Sequence, residues 1–154
     1  MVNTRNVATA VEDHVREVLS AEHQIVFRRR RLRLQPGGYH EFDAVSDDGR
    51  VVASVKTAAG GAGRHPSGKV TNCLAELYFL SLVRAHRKLL VLTSAEFHRS
   101  FLTAMAGKIP HSLEVLHVAL PPDVRARVAA VQEAGSDETQ PVLDADELRA
   151  AGGR

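Results

Sequence analysis

An acid and a lysine stand on two short apolar stretches of this chain, at a spacing that could bring them together. Asp43 lies in Tyr39-His-Glu-Phe-Asp-Ala-Val45 and Lys56 in Val51-Val-Ala-Ser-Val-Lys-Thr57, with Ser46-Asp-Asp-Gly-Arg50 as the turn between them. A strand projects alternate side chains to opposite faces. Asp43 should therefore share a face with Glu41, and Ser54 with Lys56. A hairpin of these strands sets a carboxylate and an ammonium group at neighbouring strand ends. Such a pair suits a divalent cation, an activated water and a phosphodiester. Mg²⁺ prefers oxygen ligands, keeps several waters and takes only one or two protein carboxylates. Asp43 would be one ligand and the Val55 carbonyl another, with Mn²⁺ as the alternative ion. Lys56 would orient the water or stabilise charge developing on phosphate.

The elements that must hold this pair are legible around it. Residues 4–19 read as an amphipathic helix, with Val7, Val11, Val15, Val18 and Leu19 at helical spacing and Asn3 or Thr4 as the cap. A strand over about 24–34 contains Arg28-Arg-Arg-Arg31-Leu-Arg33-Leu34, and Gln35-Pro-Gly-Gly38 turns into the hairpin. Thr57 to Lys69 is a Gly-rich connection without periodicity. The pattern then predicts a helix from about Ser67 or Lys69 to Arg84 and a strand over Lys88–Thr93. A helix capped by Ser94 and stopped by Gly107 follows, then a strand over Leu113–Leu120 and a helix over Asp123–Ala134. This order implies a mixed sheet flanked by helices, an α/β fold. Residues 1–134 are expected to form one domain, and 135–154 a polar C-terminal tail with a short helix near Asp144 to Ala151.

Bulk composition narrows the function classes. With 154 residues, 44% apolar and 25% charged, the chain can build an ordinary globular core. Its single cysteine, Cys73, excludes an internal disulfide framework and sits in an apolar helical run, as a small buried hydrophobe would. No basic-then-apolar leader and no bilayer-length apolar run is present, so a cytoplasmic protein without a membrane partner is expected. Charge is uneven. Residues 1–120 carry 16 Lys/Arg and 11 Asp/Glu, net +5, whereas residues 121–154 carry 4 and 7, net −3. A basic body is compatible with nucleic acid.

The arginine run sharpens that point. Alternation puts Arg28 and Arg30 on one face and Arg29, Arg31 and Arg33 on the other, so the strand must lie at a sheet edge or project beyond it. Clustered guanidinium groups fit a phosphate backbone, while a solvated edge that resists aggregation is the plainer account. Arg64, His65 and Lys69 in the Gly-rich connection could add contacts, or the connection could be a simple linker.

Together, the Asp-bearing strand, the turn and the strand ending in Ser54-Val55-Lys56 resemble the PD-(D/E)XK nuclease superfamily, which includes many restriction enzymes and archaeal Holliday-junction resolvases. The resemblance covers roughly residues 4–120. It implies a restriction-endonuclease-like fold, Mg²⁺-dependent endonuclease activity on DNA and a homodimer that addresses two strands. Asp43 matches the family's acid, with Phe42 in place of the proline often found before it, and Lys56 matches the family lysine. Ser54 stands where the second acid is usual. Some restriction enzymes of this kind supply that acid from the following helix, and Glu76 in Cys73-Leu-Ala-Glu-Leu-Tyr-Phe-Leu80 matches that arrangement. A salt bridge from Glu76 to Lys56 or Arg84 is the competing account. Glu12, with Glu17 as second choice, matches an accessory acid that resolvase-like members carry on the first helix. Glu41 could be auxiliary or simply exposed, and His40 should point to the opposite face in a structural role.

Two other readings stay open. The site could be dead and the fold kept as a nucleic-acid-binding or partner-binding scaffold. Alternatively, the chain could be an NTP-binding protein, since Gly63-Arg-His-Pro-Ser-Gly68-Lys69 fits the first part of a phosphate-binding loop, although Val70 stands where Ser or Thr should hold Mg²⁺.

Overall fold

A computed structural model of the chain describes residues 3–57 and 67–138. Helix α1 (Thr4–His23) starts at Asn3, whose side chain accepts a hydrogen bond from the Arg5 amide. Its residues Val7, Val11, Val15 and Leu19, four apart, form the buried stripe. The helix runs past the expected end at Leu19 and stops at Gln24, which adopts a left-handed conformation (φ 55°). Strands β1 (Phe27–Arg33), β2 (Tyr39–Ser46) and β3 (Val51–Lys56) follow, then α2 (Ser67–Leu82) and β4 (Arg87–Leu92). After these come α3 (Ala95–Ala104), β5 (Leu113–His117) and α4 (Pro122–Glu138). Strand β5 ends three residues before the expected Leu120, because its parallel pairing with β4 closes at Leu92↔His117. Helix α4 continues past the expected Ala134 to Glu138, across the boundary expected for the tail. The short helix expected near Asp144 to Ala151 lies outside the described residues.

The strands lie in the order β1-β2-β3-β4-β5. Pairing is antiparallel from β1 to β3 and parallel from β3 to β5. Both crossover helices, α2 and α3, therefore fall on one face, as successive crossovers of one hand must. Helices α1 and α4 cover the other. Each face has its own apolar cluster. Phe42, Val45, Val52, Leu90 and Leu92 pack against α2 and α3, while Ala44, Ala53, Val55, Leu89 and Val91 pack against α1 and α4. Ala44 and Ala53 are paired across β2 and β3 and fully buried. Their small side chains let α1 approach the sheet closely.

One irregularity matters for function. Between Arg28 and Arg30 of β1 the facing strand advances from Val45 to Phe42, so β2 carries an extra residue there. Such a bulge bends the strand and interrupts its pairing. It also explains why Phe42 and Val45, three residues apart, point to the same face, and it falls on Asp43 and Ala44. At the other end of β2 the turn is tightly built. Ser46 Oγ donates to Asp48 Oδ1 (2.7 Å) and accepts from the Val51 amide (2.9 Å), while Gly49 takes the positive φ (71°) that the turn needs. Among the described residues, no helix is long and apolar enough to cross a membrane.

Candidate functional site

The bulge leaves β3 with two unlike edges. Toward β4 the ladder is continuous from Val51↔Arg87 to Lys56↔Leu92. Toward β2 only Ala44↔Ala53 and Val45↔Val52 are in register. Past that point the Val55 amide donates to Asp43 Oδ2 (2.7 Å) instead of to a β2 carbonyl. The amide and carbonyl of one strand residue point the same way, so the Val55 carbonyl faces the same gap. Asp43 is held from behind as well, since Arg16 Nη1 donates to its backbone carbonyl (2.7 Å).

Ser54 and Lys56 share the face covered by α2, and Glu76 of that helix meets both. Ser54 Oγ donates to Glu76 Oε2 (2.9 Å), and Lys56 Nζ lies 3.5 Å from Glu76 Oε1. His40 Nε2 is 3.2 Å from Glu76 Oε2. Its ring stacks on Phe79 (centroids 4.0 Å apart) and meets the edge of Phe42. His40 does face away from Glu41, as alternation requires, but that face is where Glu76 arrives. Its contact with the site is thus a role that the strand pattern alone did not signal. The helical spacing Glu76–Phe79, one turn apart, was the available clue: a histidine facing that turn could reach both.

The electrostatics follow from this crowding. Burial pushes the Asp43 carboxyl above the usual carboxylate range, and the nearby Glu12 and Glu76 charges push the same way; the Val55 amide and Lys56 oppose them. Half-buried carboxylates around one lysine are a donor set that a hard divalent cation would relieve, so the residues fit Mg²⁺. Asp43, Glu76 and the Val55 carbonyl would hold it. Among the described residues no three His, Cys, Asp or Glu groups form a ready-made cage. Two carboxylates and a carbonyl do not require one. Beside Lys56 a cavity of about 200 Å³ is lined also by Lys69, Asn72 and Cys73. Burial pushes the Cys73 thiol up to about 11, leaving it an inert small hydrophobe at neutral pH.

The remaining expected residues divide. Glu12 is engaged by Arg29 and lies 3.7 Å from Arg16, and Glu41 is 3.4 Å from Arg29. Arg28 pairs with Asp47 (3.2 Å), and Arg31 lies over the Tyr39 ring. Arg30 and Arg33 line an open cleft. Strand β1 is the sheet edge, as the arginine pattern requires. Arg64 and His65 lie outside the described residues, as does most of the loop that fits the phosphate-binding pattern. Lys69 sits in the first turns of α2.

Comparison with known proteins found no matching family model, no matching curated protein and no matching solved structure.

Proposed function

We propose that this chain is a Mg²⁺-dependent endonuclease of the PD-(D/E)XK kind, with a restriction-endonuclease-like fold, cleaving phosphodiester bonds in DNA. One observation carries the reading: the Glu76 carboxylate stands against Ser54 and Lys56, where it makes good the acid that the strand lacks. The mixed sheet, the bulge at Asp43 and the splayed β2–β3 edge agree with it. Bound Mg²⁺ would supply Lewis-acid activation of water and phosphate. Asp43 and Glu76 bring negative charge from separate elements, and the β3 backbone fixes Asp43 through the Val55 amide. Lys56 presents an ammonium group to the phosphate, where charge grows in the transition state. Glu12, held by Arg29 and Arg16, is the accessory acid whose charge bears on Asp43. Action in the cytoplasm and pairing of two copies to cut two strands belong to the same proposal.

A second reading has its own support. Glu76 already has three partners, in His40, Ser54 and Lys56, and a closed polar network of this kind also suits an inactive nucleic-acid-binding scaffold. Plasmid nicking separates the two. The parent should nick supercoiled DNA with Mg²⁺ or Mn²⁺, and Lys56→Ala should lose about 10³-fold in rate while folding normally. No nicking by the parent with either ion, on any DNA form, favours the scaffold.

A further inference from the structure

A second basic surface lies at the other end of β3. A cleft of about 580 Å³ between β1 and the end of α2 is lined by Arg30, Arg33 and Arg84. It adjoins a groove of about 400 Å³ lined by Arg50, Arg84 and His86, and the two share Gly49 and Arg84. All five cationic or titratable side chains are exposed. Four other arginines meet acids: Arg16 with Asp13 and Glu12, Arg28 with Asp47, Arg29 with Glu12 and Glu41, and Arg87 with Glu114 and Glu22. Among the described residues, no acid lies within 4.0 Å of the guanidinium groups of Arg30, Arg33, Arg50 or Arg84. Asp48 is the acid on the groove wall; its carboxylate accepts from Ser46 Oγ and the Arg50 amide and also feels the Arg50 charge, so one anion stands against the four guanidinium groups of Arg30, Arg33, Arg50 and Arg84. Like charges gathered in one concavity repel unless an anion joins them.

We infer that this groove binds backbone phosphates of the same nucleic acid that reaches Lys56, as a second contact remote from the site of chemistry. The inference rests on the reading of the chain as a DNA-acting protein and adds Arg50, Arg84 and His86 to the surface involved. Arg50 precedes β3 and Lys56 ends it, so the two contacts are about 20 Å apart at the rise of a strand. At 3.4 Å per base pair, roughly six base pairs separate them along a duplex.

The test measures binding of a 20-base-pair duplex by fluorescence anisotropy over a series of salt concentrations, with Lys56→Ala as the background so that no DNA is cut. Arg50→Ala and Arg84→Ala should each weaken binding and lower the slope of log affinity against log salt by about one. The double variant should lower it by about two. Unchanged slopes overturn the inference, as does absence of any binding in the Lys56→Ala background. Inorganic phosphate is titrated in a parallel arm. Saturable phosphate binding that depends on Arg84, with unchanged duplex slopes, identifies a small-anion site and overturns the polymer contact. Plasmid nicking by the parent keeps the two claims apart: nicking with unchanged slopes sinks the groove alone, and lowered slopes without nicking sink the nuclease alone.

Discussion

The two edges of β3 are built from the same residues and do opposite things. On the β4 side every residue from Val51 to Lys56 is in parallel register, and Leu89 to Leu92 of β4 are apolar on both faces. On the β2 side pairing stops after two registered pairs, and a carboxylate takes the place of a backbone carbonyl. The continuous edge fixes where the strand is; the interrupted edge frees backbone and side-chain oxygens for a ligand. A chain can therefore place polar groups on one side of a strand whose other side is locked.

That contrast can be broken on its rigid side first. Leu90 is fully buried opposite Ser54 in the β3–β4 ladder. Leu90→Ala should cost about 2–5 kcal/mol of stability, read from urea unfolding. DNA cleavage per folded molecule should stay near the parent's below the unfolding midpoint. Loss of activity without loss of stability would show that the two edges are not separable.

On the interrupted side the largest remaining effect is expected at His40. Its ring holds the Glu76 carboxylate from the flank away from Lys56. His40→Ala should lower cleavage about 10-fold and weaken activation by Mg²⁺, as loss of a residue that orients a metal ligand does. His40→Gln should recover part of the rate through its side-chain amide. Equal rates for all three proteins would reduce His40 to packing between Phe42 and Phe79.

The smallest effect concerns Asp43 and carries a sign. Its carboxyl is raised above its ordinary value, so the folded state holds its proton to higher pH than the unfolded state. Stability contributed by that proton is full below the unfolded value and is lost as pH rises through the folded one. Asp43→Asn removes the half-buried charge yet keeps an oxygen to accept from Val55. It should raise the melting temperature at pH 7, where the parent carries that charge. The gain should vanish as pH falls through the raised value, where the parent is itself neutral. A gain that persists in acid would mean that charge is not its source.

Most of the architecture was legible in the sequence, because periodicity and punctuation agreed. The valines of α1, the Asp-Gly turn, the Ser94 cap and the apolar runs of β3 and β4 each specified one element. Boundaries were less legible. Gln24 ends α1 in a left-handed conformation without the usual glycine, and the apolar run Leu113–Leu120 outlasts the partner strand that keeps it extended. The bulge had no signal at all, since neither glycine nor proline marks Asp43-Ala44. Approach of Glu76 to Lys56 was legible as a juxtaposition, since the ligand account aimed it at that face and the salt-bridge account named Lys56 or Arg84; the hydrogen bond from Ser54 was not. Pairing of Arg28 and Arg29 with acids was not, because it depends on where α1 and the β2–β3 turn fall relative to the edge strand.

The central claim is that Glu76 and Asp43 share one cation in the gap that the bulge opens. Calorimetric titration of Mn²⁺ into the parent, Glu76→Gln and Asp43→Asn proteins, with no DNA present, tests it most directly. The account predicts one ion per chain for the parent and at least about 10-fold weaker binding for each variant. Parent-like Mn²⁺ affinity in Glu76→Gln would contradict it, because the helix would then contribute a salt bridge and nothing more.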